Sequence, residues 1–176
     1  MGPVASDFEI IFQALEQAGA RYLTVGGVAV VLHGTPRFTA DLDLVLDLES
    51  ENLGRALTAL GSLGYRPRAP VPLDDFADPI KRREWIATKG LTVLSLWSPK
   101  YPATELDLFV EEPFPFGDAY ERAVHADLGI ATAIVVSKAD LIEMKRQAGR
   151  PKDLEDIRML SIVPSQGATP GGQVDD

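Results

Sequence analysis

Apolar residues recur along the chain with two different periodicities, one typical of helices and one typical of strands, which predicts a fold that contains both. Helical spacing predicts helices over residues 7–18, 50–63, 137–149 and 151–162. Gly19, Gly64 and Gly149 end the first three of these segments, as glycine commonly does. Ser137 is suited to cap the third helix, and Pro151 to begin the fourth.

Strict alternation of apolar and polar residues predicts strands over residues 41–47 and 105–110. A short apolar run, residues 22–25, predicts another strand that leads into Gly26-Gly27. Residues 67–79 are rich in proline and predict a loop, and residues 85–88 and 91–97 flank Lys89-Gly90 in a pattern that predicts a hairpin. The predicted fold class is α/β (α+β), a mixed sheet flanked by helices, with further helices at the C-terminal end.

The chain length of 176 residues suits one domain. We expect this domain over residues 1–163, with its core in residues 22–112 and a helical part in residues 137–162. Residues 164–176 are rich in Gly, Pro and Ser and have little apolar content. They are expected to be disordered.

Composition excludes several classes of function. The chain has 17 Lys and Arg against 26 Asp and Glu, a net charge of −9, which excludes a protein that holds nucleic acid by bulk positive charge but leaves a local basic patch open. It has no cysteine, which excludes disulfides, thiol catalysis and thiolate zinc sites. No apolar run is long enough to cross a membrane and no secretory signal is recognisable, so we expect a cytoplasmic protein with no membrane partner.

Three aspartates occupy equivalent positions in the two alternating strands. Asp41 and Asp43 share one face of the first strand, and Asp107 lies on the corresponding face of the second. Carboxylates so placed can bind divalent cations such as Mg²⁺, and a cluster of three would favour two cations. The same alternation is also typical of a sheet with one solvated face, and the pattern alone does not decide between the two.

The Gly26-Gly27 pair follows a strand and opens a predicted helix. Glycines at such a position let backbone amides approach a phosphate, although a tight structural turn explains an isolated pair equally well. Thirteen residues separate Gly27 from Asp41. A phosphate-binding turn beside an acidic strand indicates metal-assisted chemistry on a nucleoside triphosphate.

These motifs resemble a known superfamily. Val25-Gly26-Gly27, the thirteen-residue gap and Asp41-Leu42-Asp43-Leu44 are similar to the signature of the DNA polymerase β-like nucleotidyltransferases. The stretches at residues 33–41 and 145–157 resemble its AbiEii-like branch, which includes toxins of toxin–antitoxin pairs. The resemblance implies a polymerase β-like nucleotidyltransferase fold and a transferase that moves a nucleoside monophosphate from an NTP.

The resemblance also implies roles for individual residues. Asp41, Asp43 and Asp107 would bind two Mg²⁺ ions, and Asp107 would also act as the base for the acceptor hydroxyl. The triphosphate would be bound by the residues Gly26, Gly27, Thr39, Lys145 and Arg150. The acceptor would be RNA, such as a tRNA end, and a partner protein would be an antitoxin or a toxin.

Other interpretations of the same residues stay open. Lys145 can be a solvated helix lysine, Arg150 can cap helix carbonyls, and Lys152 can pair with Asp156 on the surface. Lys81-Arg82-Arg83 can form an acceptor-binding edge or simply be solvated. The side chains of Trp85, Trp97 and Tyr101 can stack on a base or belong to the core.

Alternative functions also stay open. The acceptor can be a small molecule of the aminoglycoside type, or a protein hydroxyl. The chain can also be a non-catalytic nucleotide-binding antitoxin or other interaction protein, or a structural α/β domain with fortuitous acids.

Overall fold

The computed structural model describes residues 5–164, which form one mixed sheet with helices packed on it. The strands are β1 (Tyr22–Val25), β2 (Asp41–Leu46), β3 (Arg66–Pro67), β4 (Val93–Trp97), β5 (Glu105–Phe109), β6 (Val124–Asp127) and β7 (Thr132–Val135). The helices are α1 (Asp7–Gln17), α2 (Gly26–Leu32), α3 (Ser50–Ser62), α4 (Pro79–Lys89), α5 (Phe116–Glu121), α6 (Lys138–Ala148) and α7 (Pro151–Ile162). A 3₁₀ helix covers Leu73–Ala77.

The seven strands are ordered β3-β4-β5-β2-β1-β7-β6. The pairs β2–β5 and β1–β7 are parallel, and the other four pairs are antiparallel. The two acidic strands, β2 and β5, are therefore central neighbours, as the sequence interpretation required for one cluster. The mixed sheet flanked by helices confirms the predicted fold class.

The alternation in β2 and β5 divides the sheet into two faces. Leu42, Leu44, Leu106 and Leu108 are fully buried on one face, within a core that includes Ile11, Phe12 and Leu15 of α1 and Leu53 and Leu60 of α3. The opposite face presents the acidic residues of both strands. We call this second side the acidic face.

The hairpin predicted over residues 85–88 and 91–97 is wrong in its first half. Residues 79–89 form helix α4, which begins at Pro79, is capped by the side chain of Asp78, and ends at Gly90 in a left-handed conformation. Trp85 is buried on one side of this helix. Only the second half, β4, is a strand, and it pairs with β5. Gly90 is thus a helix terminator rather than a hairpin turn.

Several other elements differ from the sequence expectation. The proline-rich segment includes the 3₁₀ helix and contributes Pro67 to the edge strand β3. The elements α5, β6 and β7, of four to six residues each, were not predicted. The disorder expected after residue 164 falls outside the described residues. No helix within residues 5–164 is long and apolar enough to cross a membrane.

Candidate active site

All eight residues predicted for the site line two adjoining cavities. The larger cavity, of about 580 Å³, runs from Asp43 and Asp107 to α6. The smaller one, of about 300 Å³, lies between the loop before β2 and the start of α7, and its lining includes Gly27, Thr39 and Asp41. Four residues line both cavities: Gly26, Asp43, Lys145 and Arg150. The structure therefore brings together residues that are more than 100 positions apart in the sequence.

The two cavities differ in chemistry. Cations line the smaller cavity: Arg37, Lys145, Arg150 and Lys152. The larger cavity has a mainly apolar wall: Val93, Phe109, Pro113, Leu141 and Met144. The first is suited to a polyanion, and the second to a flat or apolar group.

The acidic strands place their carboxylates in direct register. Asp43 pairs with Asp107, and Asp41 pairs with Glu105, across the parallel strands β2 and β5. Asp107 also accepts a hydrogen bond of 2.6 Å from the hydroxyl of Ser95, its partner on β4. Asp41 is exposed at the start of β2, whereas Asp43 and Asp107 are half-buried. The pair Asp43–Asp107 is thus the centre of the acidic face.

Electrostatics at this pair disfavour two negative charges. The pKa of Asp43 is raised to about 7, mainly by burial. The charges of Asp107 and Asp41 and a hydrogen bond with Asp107 raise it further, whereas the charge of Lys145 lowers it. Burial and the neighbouring charges of Asp107 and Glu105 also raise the pKa of Asp41. A cation held between these carboxylates would relieve the repulsion.

The donor set suits Mg²⁺, since all three side chains offer carboxylate oxygens. Within residues 5–164, however, no three His, Cys, Asp or Glu side chains lie close enough together to form a ready-made metal site. Asp43 and Asp107 supply a facing pair, and Asp41 lies two residues before Asp43 on the same face of β2. The two-Mg²⁺ assignment stays a prediction.

The glycine turn lies directly against the acidic face. A Cβ added to Gly26 would lie 2.8 Å from the Cγ of Asp43 and closer still to its Oδ2. A Cβ on Gly27 would lie 2.8 Å from the Oγ1 of Thr39. Gly26 also has a φ of +68°, which favours glycine. Both glycines are therefore required for close packing here, in addition to any role with a ligand.

We expect Gly26→Ala to displace the Asp43 carboxylate and to destabilise the protein by more than the ~1–2 kcal/mol of left-handed strain. Gly19→Ala is the matched control, because Gly19 has a φ of +65° and nothing lies within 4 Å of its added Cβ. Chemical denaturation would measure both variants. Equal losses of stability would contradict the close packing against Asp43.

Lys145 belongs to a buried ionic network rather than to the helix surface. Its Nζ lies 2.8 Å from Asp156 and 3.7 Å from Asp153, and its side chain is only 8% exposed. Asp156 also forms an ion pair with Arg37, from the loop before β2. Asp153 is bound by Arg150, at 2.7 Å. Two carboxylates of α7 thus hold three of the cations that line the smaller cavity.

This network settles several open interpretations. The solvated position considered for Lys145 is wrong, because the lysine is buried. Asp156 pairs with Lys145 and Arg37 rather than with Lys152 on the surface. Arg150 binds Asp153 rather than helix carbonyls, although Asp153 also accepts the backbone N–H of Arg150, as expected for a residue near a helix N-terminus.

The sequence did not single out Ser95 or assign Asp156 a role in the site. Ser95 is a polar residue in β4 that faces Asp107, and correct pairing of β4 with β5 would have identified it. The cationic run at residues 81–83 is not uniformly solvated, because Arg82 is buried against Phe76 and donates to its carbonyl. Trp85 belongs to the core, whereas Trp97 is half-buried on the acidic face.

Comparison with known proteins finds similar structures but no similar sequence. No protein-family model matches the chain, and no curated protein matches it. Among solved structures, the lincomycin-bound lincosamide antibiotic adenylyltransferase LnuA is similar with a TM-score of 0.58 and 14% identity, over 92% of this chain and 100% of that one.

Two other solved structures are similar over most of the chain. ANT(2")-Ia in complex with adenylyl-2"-tobramycin has a TM-score of 0.55 and 16% identity, over 87% of this chain and 84% of that one. An antigenic nucleotidyltransferase-like protein from Paracoccidioides brasiliensis has a TM-score of 0.54 and 17% identity, over 90% of this chain and 78% of that one. The chain therefore has the nucleotidyltransferase fold.

Proposed function

We propose that this protein is a Mg²⁺-dependent nucleotidyltransferase, which transfers NMP from an NTP to an acceptor hydroxyl and releases pyrophosphate. One observation supports this most directly: a cavity lined by four cations meets a facing pair of carboxylates at Gly26. The transfer needs both parts, since a triphosphate must be neutralised while a metal and a base are held beside its α-phosphorus. The nucleotidyltransferase fold supports the same assignment.

The cationic cavity is assigned to the triphosphate. Gly26 and Gly27 leave room for phosphate oxygens beside Asp43 and Thr39. The cations Arg37, Lys145, Arg150 and Lys152 would offset the charge that develops on departing pyrophosphate. Lys145 is best fixed among them because Asp153 and Asp156 both surround its ammonium group.

Asp43 and Asp107, with Asp41, are the residues that would hold Mg²⁺. The bound ions would supply charge neutralisation at the α-phosphate and lower the pKa of the acceptor hydroxyl. Asp107 is the proposed base, because it lies at the side of the pair away from Gly26 and is oriented by Ser95. It would take the hydroxyl proton as the acceptor oxygen bonds to phosphorus and the bond to the pyrophosphate oxygen breaks.

The acceptor we propose is RNA, as in the AbiEii-like branch that the motifs resemble, with the chain as the toxin-like component of a pair. A small-molecule acceptor is the second candidate. It is supported by the structural similarity to LnuA and ANT(2")-Ia, whose structures contain lincomycin and adenylylated tobramycin. The net charge of −9 also suits a cationic antibiotic. An interaction protein has less support, because nucleotide binding alone does not require the three aspartates.

The test is to incubate the protein, Mg²⁺ and each α-labelled NTP with cell extract, and to separate RNA, protein and small-molecule fractions. We expect label in the RNA fraction, and its loss in Asp107→Asn. Asp118→Asn, on an exposed position of α5, is the matched control and should retain the activity. Label in the small-molecule fraction would select the second candidate. No label in any fraction, with any NTP, would contradict the transferase.

A further inference from the structure

An aromatic and cationic surface lies beside the carboxylates on the acidic face. Trp97 of β4 is half-buried, and the guanidinium groups of Arg66 and Arg68 lie 4.7 and 5.9 Å from the centre of its ring. Both arginines are exposed, and Arg68 also pairs with Glu105. We call Arg66, Trp97 and Arg68 the Trp97 platform.

Strand register places this platform on the same face as the proposed base. Ser95 pairs with Asp107, and Trp97 follows Ser95 by two residues, so both side chains point to the acidic face. Arg66 pairs with Trp97, and the backbone N–H of Arg68 bonds to the carbonyl of Ser95. The platform is therefore one or two strands from Asp107 and two residues along the strand, a separation of ~8–12 Å between Cα atoms.

The platform and the cationic cavity lie on opposite sides of the carboxylate pair. The strand order β3-β4-β5-β2-β1 puts Gly26, at the end of β1, on one side of Asp43 and Asp107, and Trp97 on the other. In-line transfer at phosphorus requires the acceptor oxygen to enter opposite the leaving pyrophosphate. With the triphosphate in the cationic cavity, the acceptor would approach from the side of the carboxylate pair on which the platform lies.

The chemistry of the platform restricts the acceptor. Two guanidinium groups beside an indole provide planar stacking surfaces and positive charge together, in a chain whose net charge is −9. Such a combination suits a nucleobase with its phosphate. A cationic amino sugar would meet like charge at Arg66 and Arg68, which is unfavourable.

We propose that the Trp97 platform is the acceptor-binding site and that it binds a nucleotide unit by stacking and by phosphate contacts. The assignment of the platform as the acceptor site rests on the proposed function. The proposal that the platform binds nucleotides does not depend on that function. The same chemistry is offered by a free mononucleotide and by the end of a single strand. These two sources are separated by the ligands used in the test.

The test uses fluorescence of Trp97 in a Trp85→Phe background, since the chain has two tryptophans and Trp85 is buried. AMP and a short single-stranded oligoribonucleotide are titrated without NTP or metal. We expect the oligonucleotide to quench Trp97. Quenching by AMP at similar concentrations would identify a free nucleotide as the source, whereas weak quenching by AMP would identify a strand end. No quenching by either ligand would overturn the proposal.

A second measurement uses the binding of a labelled oligonucleotide to the full chain. Arg66→Ala/Arg68→Ala and Trp97→Ala should each weaken binding about tenfold, the scale of a lost stacking or phosphate contact. Arg55→Ala/Arg158→Ala removes the same charge from exposed positions on α3 and α7 and should have a much smaller effect. An equal loss in both double variants would overturn the platform. Label transfer from NTP is scored separately, so platform binding without transfer would count against the proposed function alone.

Discussion

Asp43→Asn is expected to abolish NMP transfer while making the folded protein more stable at neutral pH. Asparagine retains the shape of the side chain but removes a charge that the proposed reaction requires for binding a cation. We expect the rate of label transfer to fall at least ~10³-fold, the scale of losing one essential group from a catalytic unit. Asp118→Asn is the control, and its rate should stay near that of the parent protein.

The gain in stability follows from the raised pKa of Asp43. With a folded-state pKa of about 7 against an ordinary value of 3.8, the folded protein retains a proton that the unfolded chain releases between about pH 4 and pH 7. Stability must therefore fall as pH rises through this window, and the full penalty applies above it. The asparagine side chain has no such penalty.

The measurement is urea denaturation of parent and variant in metal-free buffer at several pH values. The difference in unfolding free energy should be near zero at about pH 4, grow towards pH 7 and then level off. We expect about 2 kcal/mol at the plateau, less than the full pKa shift implies because the carboxyl is partly open to solvent. A variant that is less stable than the parent at neutral pH would contradict this account.

The acidic half of the site could be predicted because strand periodicity is a local property. Alternation fixes which side chains share a face, so Asp41 and Asp43 were predicted together from their own strand. Bringing Asp107 to them required only that the two strands pair. The glycine pair was equally visible, although its packing against Asp43 and Thr39 was not.

The cationic half of the candidate site is formed by contacts between residues distant in the sequence, which no local pattern predicts. Lys145 is buried because Asp156, eleven residues later, and Asp153 compensate its charge. Arg37 reaches the same carboxylate across 119 positions. Local spacing favoured a surface pair of Lys152 and Asp156, and only the packing of α7 against α6 reverses that preference. The family resemblance predicted Lys145 as a site residue. Its partners Asp153 and Asp156 were identified only from the structure.

The false hairpin had a similar cause. A short apolar run such as residues 85–88 is compatible with a strand or with the buried side of a helix. The helix signals lay outside the run, in Asp78-Pro79 before it and Gly90 after it. Because the hairpin paired β4 with this run instead of with β5, the acidic-face positions of Ser95 and Trp97 were also missed.

Asp156→Ala is expected to destabilise the protein strongly and to weaken NTP binding. The substitution removes the nearest counter-charge from buried Lys145 and the ion-pair partner of Arg37. Breaking a buried pair on one side typically costs about 3–5 kcal/mol. We expect about 3 kcal/mol here, because Asp153 remains 3.7 Å from the ammonium group and compensates in part.

Asp156→Asn keeps the shape of the side chain and isolates the effect on function. Asp156 lines neither cavity, so we regard it as a positioning residue that holds Lys145 and Arg37 at the proposed triphosphate site. Loss of the Asp156 charge should raise the KM for NTP about tenfold, which corresponds to the loss of one charge-assisted contact. The kcat should change much less. A fall in kcat with an unchanged KM would contradict the positioning role.

Glu155→Gln is the matched control for both measurements. Glu155 neighbours Asp156 on α7, but its carboxylate is 54% exposed and pairs only with Arg158 among the described residues. Exposed pairs of this kind contribute at most about 1 kcal/mol, so stability and KM should both stay close to those of the parent. If Glu155→Gln lost as much stability as Asp156→Ala, the loss would reflect the general charge of α7. A loss confined to Asp156 would instead locate it in the buried network that joins α6, α7 and the loop before β2.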